Sequence, residues 1–246
     1  MRWICVAIFT CLVASAVASD PPAHSQWRLT FSDEFNAESL DASKWLDRYQ
    51  WGRTHNYEAY VAPEHVLVED GLLRLKADDV PREGKKLTSA AVTTYDLFSQ
   101  RFGYFEGRFR IPKGKGFWPA FWMLPYPQRW PPEIDVFEFI RDEPVAYMTY
   151  HWGEPHHSKG FTFDGPDFWN VFHVFGLEWD AEKIVWYIDG VERGRFTQAD
   201  VIPDMPMYLL INFGIDAKWP GPVDETTPFP AYYECDWVRV YERVND

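Results

Sequence analysis

Three observations predict an all-β fold, a β-sandwich of the jelly-roll type. Short runs of alternating apolar and polar side chains recur along most of the chain. Turn signals such as Asp70-Gly71 and Asp189-Gly190 separate several of these runs. No long amphipathic helical pattern, internal repeat or low-complexity linker interrupts them, and 246 residues suit one domain of sandwich size.

In chain order, residues 1–18 read as a secretory signal peptide. Arg2 begins it, residues 3–13 are apolar, and Ala16-Val17-Ala18 offers a small-x-small cleavage site. The apolar run is too short to span a membrane, so a secreted protein is expected, extracellular or periplasmic. Residues 19–246 are expected to form a single domain. Residues 27–31 predict the first strand, and 65–69 with 72–77 a hairpin around Asp70-Gly71. Further strands are expected at 89–94, 103–111 and 117–124, the last with its ladder interrupted at Pro119. After the proline-rich 125–132 comes an acidic strand, followed by strands at 145–152, 172–179, 184–189 and 207–213. The final strand lies around Asp236.

Composition narrows the partners. A formal net charge of −13 argues against nucleic acid and against sulfated or carboxylated polysaccharides. The chain carries thirteen tryptophans, more than core packing alone is expected to need. Trp and Tyr stack on the apolar faces of sugar rings, which favours a neutral glycan. Cys5 and Cys11 fall within the leader, which leaves Cys235 without a partner for an intramolecular disulfide. Flanked by Glu234 and Asp236, it reads as a small buried side chain rather than a nucleophile.

The chemistry concentrates in Glu133-Ile134-Asp135-Val136-Phe137-Glu138. On a regular strand Glu133 and Asp135 share a face, whereas Glu138 points to the other. One extra residue at Val136–Phe137, a β-bulge, would return all three acids to one side. Two glutamates leaning together across such a strand could bring their carboxyl groups to about 5–6 Å. That is close to the roughly 5–5.5 Å of retaining glycosidases, which use one carboxylate as nucleophile and one as acid/base. A solvated acidic edge strand is the bland alternative. The surrounding Trp118, Trp122, Trp130 and His151-Trp152 argue against it, because like charges crowded into a partly dry groove cost stability.

The chain resembles glycoside hydrolase family 16, the laminarinase and lichenase group with a concanavalin-like jelly roll. The resemblance runs over residues 27–241. It is carried by Phe31-Ser-Asp-Glu-Phe35, Lys115-Gly-Phe-Trp-Pro-Ala-Phe-Trp122, Glu133-Ile-Asp-Val-Phe-Glu138, Trp186-Tyr-Ile-Asp-Gly190 and Asp236-Trp-Val-Arg-Val-Tyr241, in that order. It implies that Glu133 is the nucleophile and Glu138 the acid/base, with Asp135 hydrogen-bonded between them. His151 would bond Asp135 or Glu133, or be structural only. Trp118 and Trp130 would stack on sugar, and Asn56 would contact it upstream of the cleavage point. Asn212 and Trp219 are further substrate-binding candidates, while Trp122 is expected in the core.

No cofactor is required for this chemistry. The resemblance also implies a structural calcium on the convex side with Asp236 as ligand, although sodium or an empty site is equally compatible. Two departures fall where substrate subsites are built. Ala91 stands where many laminarinases carry Arg, and the Gly-Gly loop usual before Trp-Pro-Gly is missing.

The expected function is that of a secreted, monomeric, retaining endo-β-glucanase acting on β-1,3 or mixed β-1,3-1,4 glucan, with no membrane or nucleic-acid partner. Three alternatives stay open: hydrolysis of a galactan or bacterial exopolysaccharide, transglycosylation, and glucan binding without catalysis.

Overall fold

The computed structural model describes residues 21–244; the leader assigned to residues 1–18 lies outside them. Sixteen strands follow one another: β1 (Trp27–Asp33), β2 (Ala59–Val61), β3 (Val66–Glu69), β4 (Leu72–Ala77), β5 (Leu87–Ser89), β6 (Ala91–Thr93), β7 (Gly103–Arg110) and β8 (Phe117–Pro125). The second half contributes β9 (Glu133–Glu138), β10 (Val145–Trp152), β11 (His157–Asp164), β12 (His173–Trp179), β13 (Ile184–Ile188), β14 (Val191–Phe196), β15 (Met207–Ile215) and β16 (Ala231–Arg243). No α-helix occurs among the described residues.

The strands form two large sheets. One has the order β14-β13-β12-β7-β16-β4-β3, with β1 also paired to β16. The other has the order β11-β10-β9-β8-β15-β6, and β2 and β5 form a small separate pair. This is the predicted jelly-roll sandwich. The turns obey local chemistry: Asp70-Gly71 and Asp189-Gly190 all have positive φ, as the two-residue turn that matches strand twist requires.

Aromatic rings close the space between the sheets. Phe137 on β9 lies 4.1 Å from Phe175 on β12 and 5.1 Å from Phe109 on β7, measured between ring centroids. Phe109 in turn packs on Phe121 of β8. Phe137 is fully buried and adjoins Glu138 in sequence. Phe137→Ala is therefore expected to lower the unfolding free energy by about 3–5 kcal/mol, measurable by urea denaturation. A loss under about 1 kcal/mol would mean that the ring does not anchor the acidic strand.

Several sequence expectations require correction. Residues 89–94 divide into β5 and β6, and His65 sits in a 3-10 turn ahead of β3. β11, β14 and the short β2 were not predicted. β11 and β14 are sheet edges; only Phe161 and Phe163 of β11 and Gly194 and Phe196 of β14 turn inward, too short an alternation to stand out. β8 also runs unbroken through Pro119, which pairs with Phe213. The Pro119 carbonyl accepts the Phe139 N–H at 3.0 Å. Proline removes only one donor, and the remaining ladder holds the strand.

Candidate active site

The acidic strand is central, between β8 and β10. Against β8, Asp135 pairs with Trp122 but Phe137 pairs with Phe121, so Val136 is an extra residue. The register against β10 shifts at the same place, between Tyr147 and Thr149. This is the predicted bulge. It turns Phe137 into the core and brings Glu133, Asp135 and Glu138 into one cleft.

The cleft has a volume of about 450 Å³ and is lined by Trp51, His55, Asn56, Trp118, Ala120, Trp122, Leu124, Gln128, Trp130, Asn212 and the three acids. Positions 118, 120, 122 and 124 alternate along β8, so strand parity places Trp122 on the cleft face with Trp118. Trp122 is buried, as core packing requires. Yet it also forms the cleft floor, and its indole N–H donates to Asn212 Oδ1 at 2.6 Å. Ala91, where an Arg was expected, is fully buried and pairs with Asn212 in the ladder.

The remaining expected residues divide clearly. Trp118 donates from Nε1 to Glu138 Oε1 at 2.8 Å. Trp130 is half exposed at the rim, with its ring 4.8 Å from His156. Asn56 is exposed on the cleft wall. Trp219 does not line this cavity; it is exposed beside it and meets Trp118 edge-on at 5.7 Å and Tyr147 at 5.2 Å. His151 Nε2 lies 3.3 Å from Asp135 Oδ2 and 3.6 Å from Glu133 Oε1. It therefore adjoins both acids, where the sequence reading offered one or the other.

Burial dominates the electrostatics. It raises Glu138 well above the usual carboxylate range, and the neighbouring Asp135 charge adds to this, against the opposing Trp118 hydrogen bond. Burial and then the Asp135 charge also raise Glu133 well above the usual range, with Glu138 adding to this, while His151 and a Trp130 hydrogen bond oppose the rise. Asp135 is pushed up by burial to about 8. Burial lowers His151 and keeps its ring neutral near pH 7, with Glu133 opposing the shift. Three carboxyl groups in one dry cleft cannot all be charged at neutral pH. His151 and Trp130 favour the anion at Glu133, and the Trp118 hydrogen bond does so at Glu138.

Sequence reasoning missed Trp51, His55, Gln128 and His156. Trp51 stacks on Tyr49 at 4.7 Å and adjoins His55 at 5.2 Å, forming one aromatic arm of the cleft. Burial lowers His55 to about 4, so it is neutral at pH 7. These residues lie outside regular strands, where periodicity gives no signal; only the local run of aromatics and His before Asn56 pointed to them. His55 and Asn56 also line an adjoining cavity of about 550 Å³ bordered by Glu58, Lys85, Asp216 and Lys218.

Asp236, the side-chain ligand expected for calcium, is engaged by a guanidinium group. It lies on β16, where its carboxylate pairs with Arg108, and the Glu34 carboxylate accepts from Arg239 Nε and Nη2 at 2.9 and 2.8 Å. Cys235 is buried, and burial pushes its thiol well above the usual range, as expected for an inert side chain.

Comparison with known proteins places this geometry. The sequence model of the glycosyl hydrolases family 16 matches residues 53–239. A β-glucanase of Rhodothermus marinus is 33% identical over 262 residues, covering 95% of this chain and 91% of its own. A glucan endo-1,3-β-glucosidase of Cryptopygus antarcticus is 35% identical over 249 residues, covering 88% and 89%. The catalytic domain of an endo-1,3-β-glucanase (laminarinase) from Thermotoga petrophila RKU-1 superimposes with a TM-score of 0.81 at 32% identity, over 90% of this chain and 100% of that one.

Proposed function

The chain belongs to glycosyl hydrolases family 16, and on that premise we propose that it is a retaining endo-β-glucanase cleaving β-1,3 or mixed β-1,3-1,4 glucan. The observation that carries this reading is the extra residue at Val136, which aligns three acids along a tryptophan-lined cleft. The relatives compared above are a β-glucanase, a glucan endo-1,3-β-glucosidase and an endo-1,3-β-glucanase, which supports the substrate class.

In the first step Glu133 attacks the anomeric carbon. The glycosidic C–O bond breaks, and the proton on Glu138 goes to the leaving oxygen. A glycosyl ester on Glu133 results. In the second step Glu138, now ionised, takes a proton from water; the water oxygen attacks the same carbon and frees Glu133. Two inversions leave the β configuration. Asp135 and His151 lie beside Glu133, where they influence its charge and orientation. Secretion is part of the same proposal and rests on the composition of residues 1–18.

The test is hydrolysis of purified laminarin, mixed-linkage glucan and galactan, followed by reducing ends and by proton NMR of the newly formed product. Glucan cleavage with the β anomer appearing first is expected. An α anomer would exclude the two-step path, and release from galactan alone would move the substrate class.

A further inference from the structure

The side of the cleft formed by Glu133, Asp135 and His151 has a second chemical character. One ligand atom from each, two carboxylate oxygens and one imidazole nitrogen, can be chosen so that all lie within 4.8 Å of one another. The two distances from His151 Nε2, 3.3 Å to Asp135 Oδ2 and 3.6 Å to Glu133 Oε1, are the relevant edges. A tetrahedral ion with bonds of about 2.0–2.1 Å sets its ligands roughly 3.3–3.4 Å apart. The two edges from His151 therefore already match such an ion to a few tenths of an ångström, and the third, between the two carboxylates, lies within 4.8 Å and closes on binding.

A second observation points independently to an occupant. Asp135 Oδ2 is buried and has no hydrogen-bond partner. Although it lies 3.3 Å from His151 Nε2, it makes no hydrogen bond to that nitrogen. Buried acceptors in that state are costly, and a cation shared by both would satisfy them. The His151 ring is already fixed from the other side. Its Nδ1 lies 3.0 Å from His156 Nε2, and the two rings stack at 5.2 Å with 17° between planes. Trp130 covers His156 at 4.8 Å. An outer partner on the distal nitrogen is the usual way of orienting a metal-binding histidine.

We propose that Glu133, Asp135 and His151 form an inhibitory site for a divalent transition-metal ion of the zinc class, bound in competition with the glucan. The mixed nitrogen and oxygen set suits zinc and its neighbours. Calcium and magnesium prefer more ligands, all oxygen. Three protein ligands leave a fourth position open toward the cleft, so the bound ion would occupy space that a sugar needs and neutralise the carboxylate that attacks it. The competition clause rests on the glucanase reading; the metal site itself does not.

The test is calorimetric titration of the full chain with zinc chloride, alongside zinc-dependent thermal shifts and laminarin kinetics. One zinc ion per chain is expected to bind, and the melting temperature to rise with zinc but not with equal magnesium or calcium. Apparent KM should rise with kcat unchanged. His151→Ala should weaken zinc binding at least tenfold, and His156→Ala by a smaller factor. Asp135→Asn serves as a second ligand variant, and circular dichroism shows which variants are folded. Zinc binding that persists undiminished in both folded ligand variants would place the ion elsewhere and overturn the proposal, as would the lack of zinc-induced heat and thermal shift in the unaltered protein. Should laminarin not be cleaved at all, the glucanase reading falls while the binding and thermal measurements still decide the metal site.

Discussion

Glu133→Gln is expected to lower kcat on β-glucan by roughly 10⁴-fold or more, about 5 kcal/mol of barrier, while the protein remains folded. The amide keeps the shape of the carboxyl group but cannot form the glycosyl ester, so the path through a covalent intermediate closes. Stability should move the other way. Glu133 is buried beside Asp135 and Glu138, and its ionisation is opposed first by burial and then by the Asp135 charge. A neutral isostere removes that cost, so the melting temperature should hold or rise by about 2–4 °C. Activity within tenfold of the unaltered protein, in a preparation checked by mass spectrometry, would remove Glu133 from the nucleophile role.

Glu138→Ala is expected to cost about 10²–10⁴-fold in kcat on polysaccharide, the range for loss of a general acid or base. The loss in the glycosylation step should shrink on an aryl β-gluco-oligosaccharide, because a good leaving group needs no proton. Azide, which needs no general base, should then restore turnover and release a β-glycosyl azide. With Glu133→Ala, azide would instead attack the substrate directly and give the α product. These opposite configurations separate the two glutamates, and an α azide from the Glu138 variant would reverse the assignment. The unaltered protein should also lose activity as pH rises through the raised Glu138 pKa, since the acid must enter the cycle protonated. Burial and then Asp135 push that group upward, which moves the fall toward higher pH. On the aryl substrate, the Glu138 variant with azide should lack this limb.

Much of the site was legible because the acids are adjacent in sequence. Glu133, Asp135 and Glu138 occupy one strand, so parity plus one inserted residue determined their common face, and the register confirms the insertion at Val136. Trp118 and Asn212 were legible only through the family resemblance. Pairing then set their partners, Glu138 and Trp122. Trp219 too was legible only through the resemblance, and its edge-on contact with Trp118 depends on the tertiary structure. Trp51, His55 and His156 were missed because they belong to loops whose positions depend on the sheets they cross.

By itself, then, the sequence determined the alternation that makes a sandwich, the turns at Asp70-Gly71 and Asp189-Gly190, and the single-sided acids on β9. Each is a local consequence of backbone geometry, acting within a few residues. Tertiary structure alone decided which distant side chains meet those acids. It brought His151 across from β10, stacked His156 behind it, kept Trp122 at the cleft floor despite Pro119, and matched Asp236 with Arg108. Such contacts depend on strand order and register between segments far apart in the chain, and they are set by the packing of Phe109, Phe121, Phe137 and Phe175 between the sheets.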